Sequence, residues 1–323
     1  MAENLVSVII PNFNSIKFIE ATLDSVFNQT YKNIEIIIID DGSTDGSFEY
    51  ISNLDNQNIK LLKSPGKGAC AARNYGLRLA KGEFIQFLDA DDLFSPNKIE
   101  SQVSALRNQP ESIAVCSTKH FYETIDKGVI TDREFLYTTS DTEAFLLNLY
   151  GANGQQNMVQ TSAWLTPRIL LDKVAPWDET LSKDQDGEYF CRVVTTAKKV
   201  IYTPETVNYY RKHIKGSNIA NQRQQIHLES QIRALDSKTK QFVILKDSQA
   251  YNNAMALQYK IIAIDAYPMH KTIYKAAIHK TDQFGGSTYE PVMGGKIIES
   301  IKAIFGWRAA KSFSVFIHKY VTA

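Results

Sequence analysis

The sequence predicts an α/β fold on a mostly parallel sheet with helices on both faces. Three observations carry this. The first hundred residues contain short continuous runs of β-branched residues rather than alternating ones, as in strands covered on both faces. Between these runs lie segments whose apolar residues recur at helical spacing. The two kinds of segment alternate, which makes right-handed crossovers and parallel neighbours the expected topology.

The first run is "LVSVIIP" (5–11), stopped by proline. A helix is predicted over 15–31, with Ser15 as N-cap and Ile16, Ile19, Leu23, Val26 and Phe27 on one face. "IEIIIID" (34–40) is a second buried strand, and "STDGSFEYISNL" (43–54) a helix opened by capping residues. A short strand (59–64), a helix closed by Gly82 (68–82) and the strand "EFIQFLDAD" (83–91) follow. Beyond residue 100, a helix is expected over 98–109, a strand over 112–118, a helical centre within 163–181 and a helix over 184–197. One or two strands are expected over 199–211, and helices from about 222 onward. This divides the chain into a domain over 1–221, subdivided into segments 1–118 and 119–221, and a helical region over 222–323.

Composition narrows the function. The chain has 323 residues and a net charge of +1, so no global field favours nucleic acid. Three widely spaced cysteines, Cys70, Cys116 and Cys191, fit a reducing compartment and a buried apolar role. The start "MAENLVSVIIPNFN" has no basic segment followed by a long apolar one, and no run reaches the roughly 18 apolar residues that span a bilayer, so the expected location is the cytoplasm.

In a parallel sheet, ligands bind outside the carboxyl ends of the strands. Three strands end there in polar segments: "PNFN" (11–14), "DDGSTD" (40–45) and "DADD" (89–92). Carboxylates this close repel unless water or a cation separates them. Mg²⁺ and Mn²⁺ take oxygen ligands, often one or two carboxylates plus substrate phosphates. On a continuing strand, Asp89 and Asp91 would share a face and one ion, because side chains alternate with period two. A solvated acidic turn is the alternative. "GKGACAARNYG" (66–76) supplies the opposite charge: a glycine-flanked helix N-terminus, with Arg73 and Lys67 in reach of a phosphate.

Together, "VSVIIPNFN", "IIIIDDGSTDGS", "GACAARNYGLRLAKGEFIQFLDADD" and "DQDGEYFCRV" resemble family 2 glycosyltransferases of the GT-A, Rossmann-like fold, over residues 5–215. The resemblance implies transfer of a sugar from a nucleotide diphosphate sugar, usually a UDP-sugar, to an acceptor hydroxyl. It further implies inversion at the anomeric carbon and Mn²⁺ or Mg²⁺ as cofactor, in polysaccharide or glycolipid assembly. Pro11, Phe13 and Asn14 would line the nucleoside pocket, with Asp41 bonding the base and Asp40 and Ser43 shaping its loop. Arg73 and Asn74 would border the diphosphate, Asp89 the ribose or donor sugar, and Asp91 would hold the metal. In "YYRKHIKGSN" (209–218), His213 would be a further metal ligand and Arg211 or Lys215 a phosphate clamp. Many members carry Glu where this chain has Asn14, and Gln185 replaces the usual Glu of the acidic motif.

Inverting transfer needs a carboxylate to take the acceptor's proton. Asp186 is the expected base, Glu188 the fallback and Asp184 a helix cap. Trp164 and Trp177 offer indole faces on which a sugar acceptor stacks, or else pack in the core. Residues 294–323 carry four lysines and one arginine against one glutamate, with large apolar residues between. Such a helix suits an anionic membrane surface, which a lipid-linked acceptor would explain, and places the protein peripherally at its inner face. Packing on its own domain or on a second subunit of a homo-oligomer is the other reading. The competing function is a nucleotide- or sugar-binding protein with a degenerate site, kept open by Gln185.

Overall fold

The computed structural model describes residues 4–213 and 223–320, with side chains to residue 317. The chain forms two compact units. Met1–Leu146, Asn157–Thr180 and Gln185–Asn218 make the first; Leu147–Gln156, Leu181–Asp184 and Ile219–Ala323 make the second.

The first unit opens with β1 (Val6–Asn12), α1 (Ile19–Phe27), β2 (Ile34–Asp40), α2 (Ser47–Ser52), β3 (Ile59–Lys63), α3 (Gly68–Leu79) and β4 (Phe84–Phe87). β1 pairs in parallel with β2 and β4, and β2 with β3. It continues with β5 (Leu93–Phe94), α4 (Lys98–Leu106), β6 (Ser112–Phe121), β7 (Val129–Ile130), α5 (Thr142–Leu149, its last three residues counted with the second unit), β8 (Trp164–Pro167), α6 (Arg168–Leu171), α7 (Gln185–Thr196) and β9 (Lys199–Arg211). The sheet order is β3-β2-β1-β4-β8-β6-β9-β5, with β7 beside β6. β8 runs antiparallel to β4 and β6, while β9 runs parallel to β6. The fold is the α/β architecture expected.

The apolar runs are buried on both faces for the expected reason. Val8, Ile10, Ile36 and Ile38 pack with Leu23 and Val26 of α1 and Ile99 and Val103 of α4. Ile37 and Ile39 point to the other face, against Ala72 of α3. Gly76 lets α3 lie close: a Cβ there would come within 2.5 Å of Ile9.

Several elements are shorter than predicted because their polar ends are spent on loops. Residues 15–18 form a turn in which Ser15 O accepts from Phe18 N (2.8 Å) and Ile19 N (2.9 Å), so α1 starts later. Ser43 bonds Asp40 in the preceding loop, and Asp45 accepts from Ser47 N, where α2 starts. β4 ends at Phe87, and Asp92 N donates to Asp89 O (3.1 Å). The acidic residues therefore sit in a turn, and period-two alternation does not bring Asp89 and Asp91 together. The segment 163–181 opens with β8, and its expected helical centre is the short α6.

Lys98, fully buried at the start of α4, ties that helix to β4 through Gln86 Oε1 and holds Gln102 Oε1 at 2.7 Å. Both partners are neutral acceptors, which an uncharged amine satisfies as well as an ammonium. Burial pushes the Lys98 amine down to about 8. The unfolded chain, with lysine near pKa ~10.4, binds more protons across that window, so stability rises with pH from about 8 to about 10. Urea titrations across this range should show the rise in the wild type and a flatter profile in Lys98→Met.

The second unit holds α8 (Gln225–Thr239), α9 (Gln249–Ala266), α10 (Lys271–Gln283) and α11 (Lys296–Tyr320). Ser230 Oγ accepts from Ser182 N (2.9 Å) and Lys183 N (3.1 Å). Lys238 Nζ pairs with both oxygens of Asp184 at 2.8 and 2.6 Å, so that carboxylate is engaged by Lys238.

Candidate active site

The carboxyl ends of β1, β2 and β4 meet at one rim. Its scaffold is Asn12, buried at the end of β1 and absent from the residues singled out in the sequence. Asn12 Nδ2 donates to Asp40 Oδ2 (2.6 Å) and lies near Ser43 Oγ (3.2 Å) and Ser47 Oγ (3.3 Å). Asp40 also accepts from Gly42 N, Ser43 N and Ser43 Oγ. Burial raises the Asp40 carboxyl, but these hydrogen bonds outweigh it and hold the group below its ordinary value. Asp40 and Ser43 thus shape the loop after β2.

Further cross-ties join this loop to the one after β1, among them Asn14 N donating to Ser43 Oγ (3.0 Å). Asn14, in the left-handed region at φ 49°, accepts from Thr44 N (2.8 Å), and Asp45 accepts from Ile16 N (2.9 Å). Asn14 is therefore a loop tie as the chain stands. Phe13 between them projects with 60% of its surface exposed. Pro11 is half-buried in β1. Asp41 accepts from Gly68 N through Oδ2 (2.7 Å), with Lys67 Nζ at 3.9 Å from Oδ1. That Oδ1 is buried with no hydrogen-bond partner among the described residues.

Arg73 faces the acidic turn. The helix α3 carries it, buried, to a 2.6 Å ion pair with Asp89, with its guanidinium 4.7 Å from the Trp177 ring centre. Its Nε and Nη1 are buried without hydrogen-bond partners among the described residues. Asp91 Oδ2 lies 2.8 Å from His213 Nε2, at the end of the strand that returns past the turn. Arg211 on that strand holds Asp91 O through Nε (3.1 Å) and Asp92 Oδ1 through its backbone N–H (3.1 Å). Lys215, the other clamp candidate, lies outside the described residues.

The turn concentrates charge in a poorly solvated place. Burial pushes the Asp91 carboxyl up against the opposing hydrogen bond from His213, and the Asp89 charge adds to the rise. Burial, then the charges of Asp91 and Asp89, hold Asp92 well above the usual carboxylate range. Tyr210 also belongs here. Burial and then the charges of Asp92, Asp89, Asp91 and Asp186 raise its phenol. Its edge-on partner is His120, 5.5 Å away. The sequence singles out 209–218 for Arg211, His213 and Lys215, with no role for Tyr210, which arrives here by strand pairing with His120.

Asp186, in the first turn of α7, is half-buried and near enough for its charge to act on Arg73 and Cys70. Cys70 donates to Gln185 Oε1 (3.0 Å). Four expectations are corrected. Glu188 is buried and bidentate to Arg192 (2.8 and 2.9 Å), which braces α7 and removes it as a base. Asn74 spends its amide on Trp177 O (2.9 Å), Glu179 Oε1 (2.8 Å) and Trp177 N (2.9 Å), so it clamps the 177–179 segment instead of bordering a ligand. Trp177 is 2% exposed, stacked on Tyr189 at 4.1 Å and under Arg73. Trp164 is 3% exposed and stacked on Phe190 at 5.3 Å. Neither indole offers a face to an acceptor.

Among the described residues, no group of three or more His, Cys, Asp or Glu is placed to hold a metal. The Asp91–His213 pair fits a divalent ion that takes one carboxylate and one imidazole and leaves its other positions to water and phosphate.

Residues 7–166 match the family model of Glycosyl transferase family 2, and that segment belongs to the family. The uncharacterized glycosyltransferase RT0329 of Rickettsia typhi is 33% identical over 217 residues, which cover 65% of this chain and 64% of that protein. The Escherichia coli protein WfaP, named a UDP-Glc:α-D-GlcNAc-diphosphoundecaprenol β-1,3-glucosyltransferase, is 44% identical over 106 residues, 32% of this chain and 42% of WfaP. In both cases the match spans less than two thirds of the relative. The crystal structure of S. aureus TarS 1–349 with UDP-GlcNAc shares the fold at TM-score 0.69 and 17% identity, covering 87% of this chain and 81% of that one.

The clamp reading of Asn74 is testable by stability. Asn74→Ala leaves the buried Trp177 N–H without its acceptor and should cost about 2–3 kcal/mol in urea denaturation.

Proposed function

We propose that this chain is an inverting glycosyltransferase that moves a hexose from a UDP-sugar to a hydroxyl of a sugar carried on a lipid diphosphate. The observation that carries the reading is one rim that sets the Asp91–His213 pair beside a buried arginine with two donors that have no hydrogen-bond partner among the described residues. Such a rim matches a ligand that is itself anionic and bound through a cation. The lipid-linked acceptor and the UDP donor are supported by WfaP, whose name carries both.

Each residue then has a role. Exposed Phe13 packs against the base with Pro11 behind it, and the unpartnered Asp41 Oδ1 accepts an N–H of the base. Arg73 donates from Nε and Nη1 toward the diphosphate, while Asp89 keeps its guanidinium oriented. Asp91 and His213 would hold Mn²⁺ or Mg²⁺, which when bound offsets the diphosphate charge so that no separate acid is needed for its departure. Asp186 accepts the proton of the acceptor hydroxyl as that oxygen bonds to the anomeric carbon and the bond to the diphosphate oxygen breaks on the opposite side. The products are the β- or α-inverted glycoside, UDP and protonated Asp186.

Asp186→Asn tests the base. With UDP-glucose and α-D-GlcNAc-diphosphoundecaprenol as the first substrate pair, and other donors in turn, kcat should fall about 10²–10⁴-fold while UDP affinity holds. A loss of only a few-fold would move the base to another group. Absence of transfer from every donor by the wild type would favour the binding-protein reading.

A further inference from the structure

The second unit carries an apolar surface that the transferase reading does not use. Its last helix, α11, is divided at Gly306, whose φ of 80° and ψ of 165° suit glycine. The C-terminal half is fixed to the unit: Trp307 is buried 5.5 Å from Tyr267, Ala310 is fully buried, and Arg308 Nε donates to Tyr274 OH of α10 at 2.8 Å. The other side faces out. Ile297 (71% exposed), Ile304 (73%) and Phe305 (70%) follow helical spacing before the glycine, and Phe313 (38%) and Phe316 (56%) after it. Val292 leads into the helix with 88% of its surface exposed. This many exposed large apolar side chains within one short segment mark an interaction surface.

Charge identifies the occupant. Lys296 and Arg308 are exposed on α11, and Lys271 and Lys275 are exposed on α10, which meets α11 at the Arg308–Tyr274 bond. The one acid in 294–323 is Glu299, already paired with Lys302 at 2.6 Å, and the exposed acids nearby, Asp282 on α10 and Glu290 before α11, are outnumbered by these four exposed basic groups. A second copy of this chain would bring the same positive rim against itself, whereas an anionic lipid surface complements it. Among the described residues, no helix is long and apolar enough to cross a membrane. The geometry points to α11 lying in the plane of an anionic bilayer, with Ile297, Ile304, Phe305, Phe313 and Phe316 in the acyl boundary and the basic side chains at the headgroups. This surface stands independently of the chemistry proposed for the first unit.

Flotation of the full chain with phosphatidylcholine vesicles, with and without phosphatidylglycerol, tests it. The protein should float with the anionic vesicles, far less with neutral ones, and be released by high salt. Ile304→Ser/Phe305→Ser should weaken binding by roughly a hundredfold, from the loss of two inserted apolar groups. Its melting temperature and UDP affinity should match wild type, since both side chains are exposed. Equal binding by the double variant, or no vesicle binding by wild type, overturns the inference. A concentration-dependent dimer in sedimentation that the double variant abolishes, without vesicle binding, assigns the face to a second copy instead.

Discussion

Three carboxylates in a four-residue turn repel one another, and the arrangement of the first unit answers that repulsion. Asp89 is paired with buried Arg73, Asp92 accepts hydrogen bonds from the backbone N–H of Arg211 and the Ser162 hydroxyl, and Asp91 lies against His213. Two unit charges a few ångströms apart interact by about 4 kcal/mol at the effective dielectric near a protein surface. A chain that keeps such a turn, with Asp91 and Asp92 partly desolvated, spends stability on it. Asp91 faces the imidazole of His213, and the ligand we infer adds positive charge there through its cation.

The sheet makes this arrangement reproducible. Each side chain at the rim is aimed by an element whose own stability lies elsewhere. Arg73 rides on α3, held close to β1 by the absence of a Cβ at Gly76. Trp177 covers the guanidinium and is itself pinned by Asn74 and stacked on Tyr189. Asp186 sits on α7, which the Glu188–Arg192 pair braces. The loops after β1 and β2 are cross-tied by Asn12, Asn14 and Asp45, which leaves Phe13 and Asp41 to present outward. Asn74, read in the sequence as a ligand contact, and Glu188, read as the fallback base, turn out to be supports for their neighbours.

Much of this was legible from the residues. β1 and β2 are continuous β-branched runs, and no helix forms there, so their burial on both faces follows directly. Arg73 opposite an acidic turn follows from a basic residue inside a glycine-led helix next to the following strand. The polar ends of α1 and α2 misled the boundaries, because Ser15 and Ser43 satisfy loops before they can cap helices, and Asp45 accepts from Ser47 N, so α2 starts only there. β8 was not legible: "WLTP" is four residues, too short to show a period, and it becomes a strand only by pairing with β4 and β6. Tyr210 and Asn12 were missed for a similar reason. Their positions come from strand register and from hydrogen-bond partners about 30 residues or more away in the chain, neither of which a local pattern encodes.

The central claim is that the acidic turn binds a diphosphate through a divalent ion. Calorimetric titration of UDP with and without Mn²⁺, on wild type and Asp91→Ala, tests it most directly. The account predicts that Mn²⁺ strengthens UDP binding at least about tenfold, near 1.4 kcal/mol, and that Asp91→Ala removes this coupling while metal-free affinity stays the same. UDP binding that ignores Mn²⁺, a coupling that survives in Asp91→Ala, or no UDP binding at all would contradict it.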